Sequence, residues 1–129
     1  MTSEALATRT RVMLVDDHLD FRDLMVDVLE RQPDLQVVAE AGSVAEARGK
    51  ASIAGLDVVI LDLGLPDGNG ADLIPELRGI NPDVAVLVLS ASLHHANIER
   101  AMRAGASEVL DKLATPSEVV GTVRRLAGA

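Results

Sequence analysis

Five polar residues of this chain have the types and the placement to do chemistry together: Asp16, Asp17, Asp62, Ser90 and Lys112. Each follows a short aliphatic run. Val12-Met13-Leu14-Val15 ends in Asp16-Asp17, Val58-Val59-Ile60-Leu61 in Asp62, Val84 through Leu89 in Ser90, and Val109-Leu110 in Asp111-Lys112. Taken singly, each polar residue reads as a turn former, a helix cap or a solvated surface group. Their shared position at the ends of runs is what carries meaning. Three crowded carboxylates raise one another's pKa values unless a cation joins them. A hard divalent ion such as Mg2+ answers that need, binding through one or two carboxylates and keeping waters that phosphoryl oxygens can replace. A carboxylate beside such an ion, facing a lysine and a hydroxyl, can attack a phosphoryl donor and form an acyl phosphate. Lys112 would then pair with one phosphate oxygen, and Ser90 would donate a hydrogen bond to another.

The elements that must position these groups follow from periodicity. The four runs, and a weaker fifth at Gln36-Val37-Val38-Ala39, are β-branched and nearly continuous, as in strands covered on both faces. Helical patterns alternate with them. Phe21, Leu24, Met25, Val28 and Leu29 fall on one helix face, Ser43 to Glu46 is a capping box, and Leu73, Ile74 and Leu77 suggest a third helix. Pro75 predicts a late or bent start there. Ile98 with Met102 marks a fourth helix. Thr115-Pro116-Ser117-Glu118 opens a fifth, with a core stripe of Val119, Val123 and Leu126. Strand and helix alternate five times, which predicts an α/β fold: a flavodoxin-like (βα)5 doubly wound parallel sheet of strand order 2-1-3-4-5, in a single domain. Ligands of such sheets bind outside the carboxyl ends of the strands, where all five groups would gather. Residues 1–9 read as a flexible N-terminal arm and 10–127 as the domain.

Composition narrows the classes. A length of 129 residues suits one domain, and a net charge of −8 gives the bare chain no affinity for a phosphate backbone. The absence of cysteine excludes a disulfide framework, a thiolate metal site and a Cys nucleophile. One Phe, with no Trp or Tyr, leaves little to stack on bases or on a flavin ring. The start lacks a signal-peptide pattern and no run approaches 18 apolar residues, so a cytoplasmic protein without a membrane span is expected.

Four segments in order resemble the receiver (REC) domain of two-component response regulators, over residues 10–127. They are Val12 through His18, Val58 through Gly68, Val88-Leu89-Ser90-Ala91, and Gly105 through Lys112. The resemblance implies that Asp62 is the phosphoacceptor, Asp17 a direct Mg2+ ligand, Asp16 a member of the metal shell through water, and the Gly64 backbone carbonyl a further ligand. It makes Ser90 the switch hydroxyl and Lys112 the ion-pair partner of the phosphoryl group. It implies a sensor histidine kinase or phosphotransfer protein as donor, acetyl phosphate as a small substitute, and no turnover enzyme. Asp17-His18, Gln32-Pro33-Asp34, Asn81-Pro82-Asp83 and Leu113 are similar to NarL/FixJ-type receivers. The expected setting is therefore a stand-alone receiver or part of a helix-turn-helix transcriptional regulator.

The departures are informative. Val109 stands where the family carries a Tyr or Phe, so the aromatic rotamer that reports activation is missing. By the same resemblance, small Ala91 would leave the phosphoryl position open to donors, and Gly64 and Ser92, also small, stand where the family shields or admits the hydrolytic water. A phosphorylation-independent pseudo-receiver scaffold is one alternative. Another is a Mg2+-dependent aspartyl-phosphate phosphatase, which would want a second Asp where Gly64 stands. A flavin-binding domain would want a glycine- and hydroxyl-rich loop in place of Asp16-Asp17-His18, whose charge repels phosphate. His18 reads as a loop residue and His94-His95 as surface. Arg100, Arg103, Arg124 and Arg125 put positive charge on the fourth and fifth helices. The face of the fourth helix, fifth strand and fifth helix is thus a candidate homodimer or output surface.

Overall fold

In the computed structural model, which describes residues 9–91 and 93–128, the aliphatic runs form five parallel strands. They are β1 (Thr10–Val15), β2 (Leu35–Ala41), β3 (Val58–Leu61), β4 (Ala85–Ser90) and β5 (Glu108–Asp111). Their spatial order is β2-β1-β3-β4-β5, the expected one. Every residue of β3 and β4 is buried, which explains why those runs show no polar alternation.

Side chains alternate between two cores, one on each face of the sheet. Val12, Leu14, Val58, Ile60, Leu87 and Leu89 meet Met25 and Leu29 of α1 (Leu19–Glu30) and Val119, Val120 and Val123 of α5 (Pro116–Gly128). Met13, Val15, Val59, Leu61, Val86 and Val88 meet the other three helices. These are α2 (Val44–Lys50), α3 (Ile74–Ile80) and α4 (His95–Ala104).

The cap expectations hold. Ser43 Oγ accepts from the Glu46 amide at 3.0 Å, and Thr115 Oγ1 from the Glu118 amide at 3.1 Å. Pro75 lies in the first turn of α3, where its missing N–H costs nothing, and a 3-10 turn at Gly70–Leu73 precedes it. Two stripe residues do not face the core: Leu24 is 54% and Met102 48% exposed. In α1 the buried pair is Met25 and Leu29, one turn apart, and Leu24 lies about 100° round from it. In α4 only Ala101 is buried, so the helix rests on a small residue and Met102 beside it is left outside.

Gly105 ends α4 in the left-handed region at φ 111°, and its carbonyl accepts from Arg78 Nε at 2.8 Å. Of the expected arm over 1–9, all but Arg9 lies outside the described residues. Arg9 Nε donates to the Pro33 carbonyl at 3.1 Å. Among the described residues, no helix is long and apolar enough to cross a membrane.

Candidate functional site

Backbone pairing carries on one residue past the strands, and this brings the distant groups together. The Asp16 amide donates to the Ala41 carbonyl, the Asp62 amide to the Val15 carbonyl (both 2.9 Å), and the Lys112 amide to the Ser90 carbonyl at 3.2 Å. Asp16, Asp62, Ser90 and Lys112 therefore share one rim. Asp62 is 4% exposed, Asp16 5% and Ser90 fully buried.

A buried carboxylate needs partners on both oxygens. Ser90 Oγ donates to Asp62 Oδ1 at 2.8 Å, and Lys112 Nζ reaches Asp62 Oδ2 at 3.1 Å. The same ammonium lies 2.8 Å from Asp16 Oδ2 and 4.7 Å from the centre of the Phe21 ring. Burial pulls the Lys112 pKa down, but the Asp16 hydrogen bond and the Asp62 charge outweigh it and hold it above its usual value. The lysine is thus kept charged.

Three carboxylates against one ammonium leave two negative charges. Asp16, Asp17, His18 and Asp62 each present a ligand atom, all within 4.8 Å of one another. That is one divalent ion's span and charge, so the residues fit a hard cation. Gly64 is exposed, and its amide stands 3.4 Å from Asp62 Oδ1.

All five expected residues meet here, and four others support them. His18, expected as a bystander in the loop, places Nδ1 3.3 Å from Asp16 Oδ1, 3.5 Å from Asp17 Oδ1 and 3.2 Å from Lys112 Nζ. Its place next to the acidic pair was the only sign of this. Arg22 donates from Nη1 to the Asp16 carbonyl at 2.8 Å and ion-pairs with Glu40, holding the loop after β1. Gly70 packs on the Asp62 carbonyl so closely that a Cβ there would overlap it. Asp67 accepts from the Val44 and Ala45 amides at 2.7 and 3.0 Å, pinning the loop after β3 to α2. The spacing of Asp67 and Gly70 reads only as turn composition, because their partners lie on other segments.

Elsewhere the arginines are paired within the chain. Arg100 meets Asp72 at 2.8 Å, Arg103 meets Glu99 at 3.8 Å, and Arg125 meets Glu108. Arg124 binds Asp34 and Gln32, in the segment that follows α1. His95 stands 3.8 Å from Glu99, and the candidate metal cluster does not include it or His94. Val109 is half-buried against the core that α4 covers. Ala91 is exposed beside the site, and Ser92 lies outside the described residues.

The sequence pattern of the family described as "Response regulator receiver domain" matches residues 12–124. The DNA-binding transcriptional activator DevR/DosR of Mycobacterium tuberculosis is 45% identical over 97 residues, 75% of this chain and 45% of that protein. The transcriptional regulatory protein UhpA of Salmonella typhimurium is 39% identical over 116 residues, 90% of this chain and 58% of that protein. The chain therefore spans about half the length of these curated relatives. Among solved structures, the signal receiver domain of the response regulator NarL from Mycobacterium tuberculosis superposes with a TM-score of 0.87 at 31% identity. That match covers 94% of this chain and 98% of the other.

Proposed function

This chain belongs to the response regulator receiver domain family, and from that premise we propose that it is a phosphorylation-controlled switch whose phosphoacceptor is Asp62. The observation that carries the reading is the pair of donors on that one carboxylate: Ser90 at 2.8 Å and Lys112 at 3.1 Å. A carboxylate oxygen of Asp62 attacks the phosphorus of a phosphohistidine or an acyl phosphate. A P–O bond forms, the bond to the leaving imidazole or carboxylate breaks, and the leaving group takes its electron pair. Lys112 pairs with a phosphoryl oxygen and Ser90 donates to another, so both follow the new charge away from the carboxylate. Asp16, Asp17, Asp62 and the Gly64 carbonyl are the residues to hold Mg2+, which supplies charge neutralisation at the phosphoryl oxygens.

The donor is a sensor histidine kinase or phosphotransfer protein in the cytoplasm. The output is control of transcription, in line with the relatives' names, or of another partner if the receiver acts alone. Self-association through α4, β5 and α5 is a further part of the proposal. With Val109 in place of an aromatic, coupling runs through the loops that carry Ser90 and Lys112.

The test is intact mass after incubation with Mg2+ and acetyl phosphate, since the chain has no Trp to report binding. One phosphoryl adduct is expected, lost in Asp62→Asn and with EDTA. An adduct that survives Asp62→Asn would overturn the assignment. No adduct from acetyl phosphate or from a phosphorylated histidine phosphotransfer domain would favour the scaffold reading.

A further inference from the structure

His18 occupies the N-cap position of α1, where Ser, Thr, Asp or Asn normally accepts a backbone amide, yet its side chain makes no capping bond. Nor does it pack in the core, being 66% exposed. Its imidazole turns to the acidic cluster, with Nδ1 within 3.5 Å of Asp16 Oδ1, Asp17 Oδ1 and Lys112 Nζ. In the Nε2–H tautomer this nitrogen turns its lone pair to Lys112, and in the Nδ1–H tautomer it donates to Asp16. His18 also supplies one of the four candidate ligand atoms that lie within 4.8 Å of one another. An exposed imidazole nitrogen set among carboxylate oxygens is placed as a metal-bound histidine would be, with its lone pair free in the Nε2–H tautomer.

We infer that His18 is a side-chain ligand of the cation site through Nδ1, and that it tilts the site toward borderline first-row ions such as Co2+, Ni2+ or Zn2+ relative to Mg2+. The inference rests on the cation site proposed above and adds its selectivity. Mg2+ prefers oxygen and holds its waters, so a water replaces the imidazole at little loss. Borderline ions gain from a nitrogen ligand. The backbone part of the site does not depend on the ring, because the His18 amide itself donates to Asp16 Oδ1 at 2.8 Å.

The experiment titrates the whole chain with Co2+ and with Mg2+, in wild type, His18→Ala and Asp17→Asn, and records the proton NMR spectrum of the Co2+ form. Wild type should show a hyperfine-shifted, solvent-exchangeable imidazole N–H resonance. His18→Ala should lose it and bind Co2+ roughly tenfold more weakly, with Mg2+ affinity changed less than about twofold. Should Co2+ bind in an Asp17-dependent way with no such resonance, or with one that persists in His18→Ala, His18 is not a ligand and only this inference falls. If neither ion's binding depends on Asp17, the cation site itself is wrong and both readings fall.

Discussion

Helices α1 and α4 flank the same rim from opposite faces of the sheet, and they are held there by different means. Helix α1 buries Met25 and Leu29 against β1 and β3, and the loop before it is tied down by Arg22 on the Asp16 carbonyl. Helix α4 buries only Ala101; of its exposed pairs, Arg100 with Asp72 ties it to the turn before α3, while Arg103 with Glu99 lies within the helix itself. Core side chains of the first kind are worth about 2–5 kcal/mol on truncation, exposed ion pairs about 0–1 kcal/mol. On the phosphoacceptor reading proposed above, a charge change at Asp62 is expected to move α4 more readily than α1. The rim has a fixed side that holds the carboxylates and a lightly held side that can answer them.

The largest expected effect lies on the fixed side. Leu29→Ala should cost about 2–5 kcal/mol by urea unfolding followed by circular dichroism, while Met102→Ala on α4 should cost less than about 1 kcal/mol. Equal losses would end the contrast. Next comes Gly70→Ala, whose Cβ would overlap the Asp62 carbonyl. It should cost about 1–3 kcal/mol and slow labelling by acetyl phosphate, because it displaces the end of β3. A stable variant that labels at the wild-type rate would show that this backing is dispensable.

The smallest effect is a pH dependence at Asp67. The Val44 and Ala45 amides hold its carboxyl below its ordinary value of 3.8. A depressed folded pKa stabilises the fold above the unfolded value, and that stability is lost as the pH falls through the folded one. Asp67→Asn should therefore lower the urea midpoint at pH 7, with the gap to wild type narrowing as the pH falls from about 5 toward 3. A gap that stays constant with pH would separate Asp67 from the anchoring of the loop after β3.

Much of this was legible in the chain. Val58–Leu61 and Ala85–Ser90 read as strands because burial on both faces selects aliphatic residues at every position. Ser43 and Thr115 read as caps because the capping bonds span only three residues. Leu24 and Met102 were misplaced for the opposite reason: periodicity says that a helix has an apolar face, but which part of it the sheet covers depends on the angle at which the helix lies. Arg124 lies exposed on the fifth helix as read, but its partner Asp34 is 90 residues distant and left no local sign. His18 is marked only by its place beside the acidic pair, and Gly70 carries no local mark of its role.

By itself, then, the sequence determined the strands, the caps, the order of alternation and which polar group stands at the end of each strand. These rest on bonds and periodicities a few residues long. Only the tertiary structure decided that Lys112 bridges Asp16 and Asp62, that His18 joins them, and that Gly70 and Asp67 brace the loop after β3. Those contacts join separate segments, so they exist only once the parallel ladder has set the strands in register.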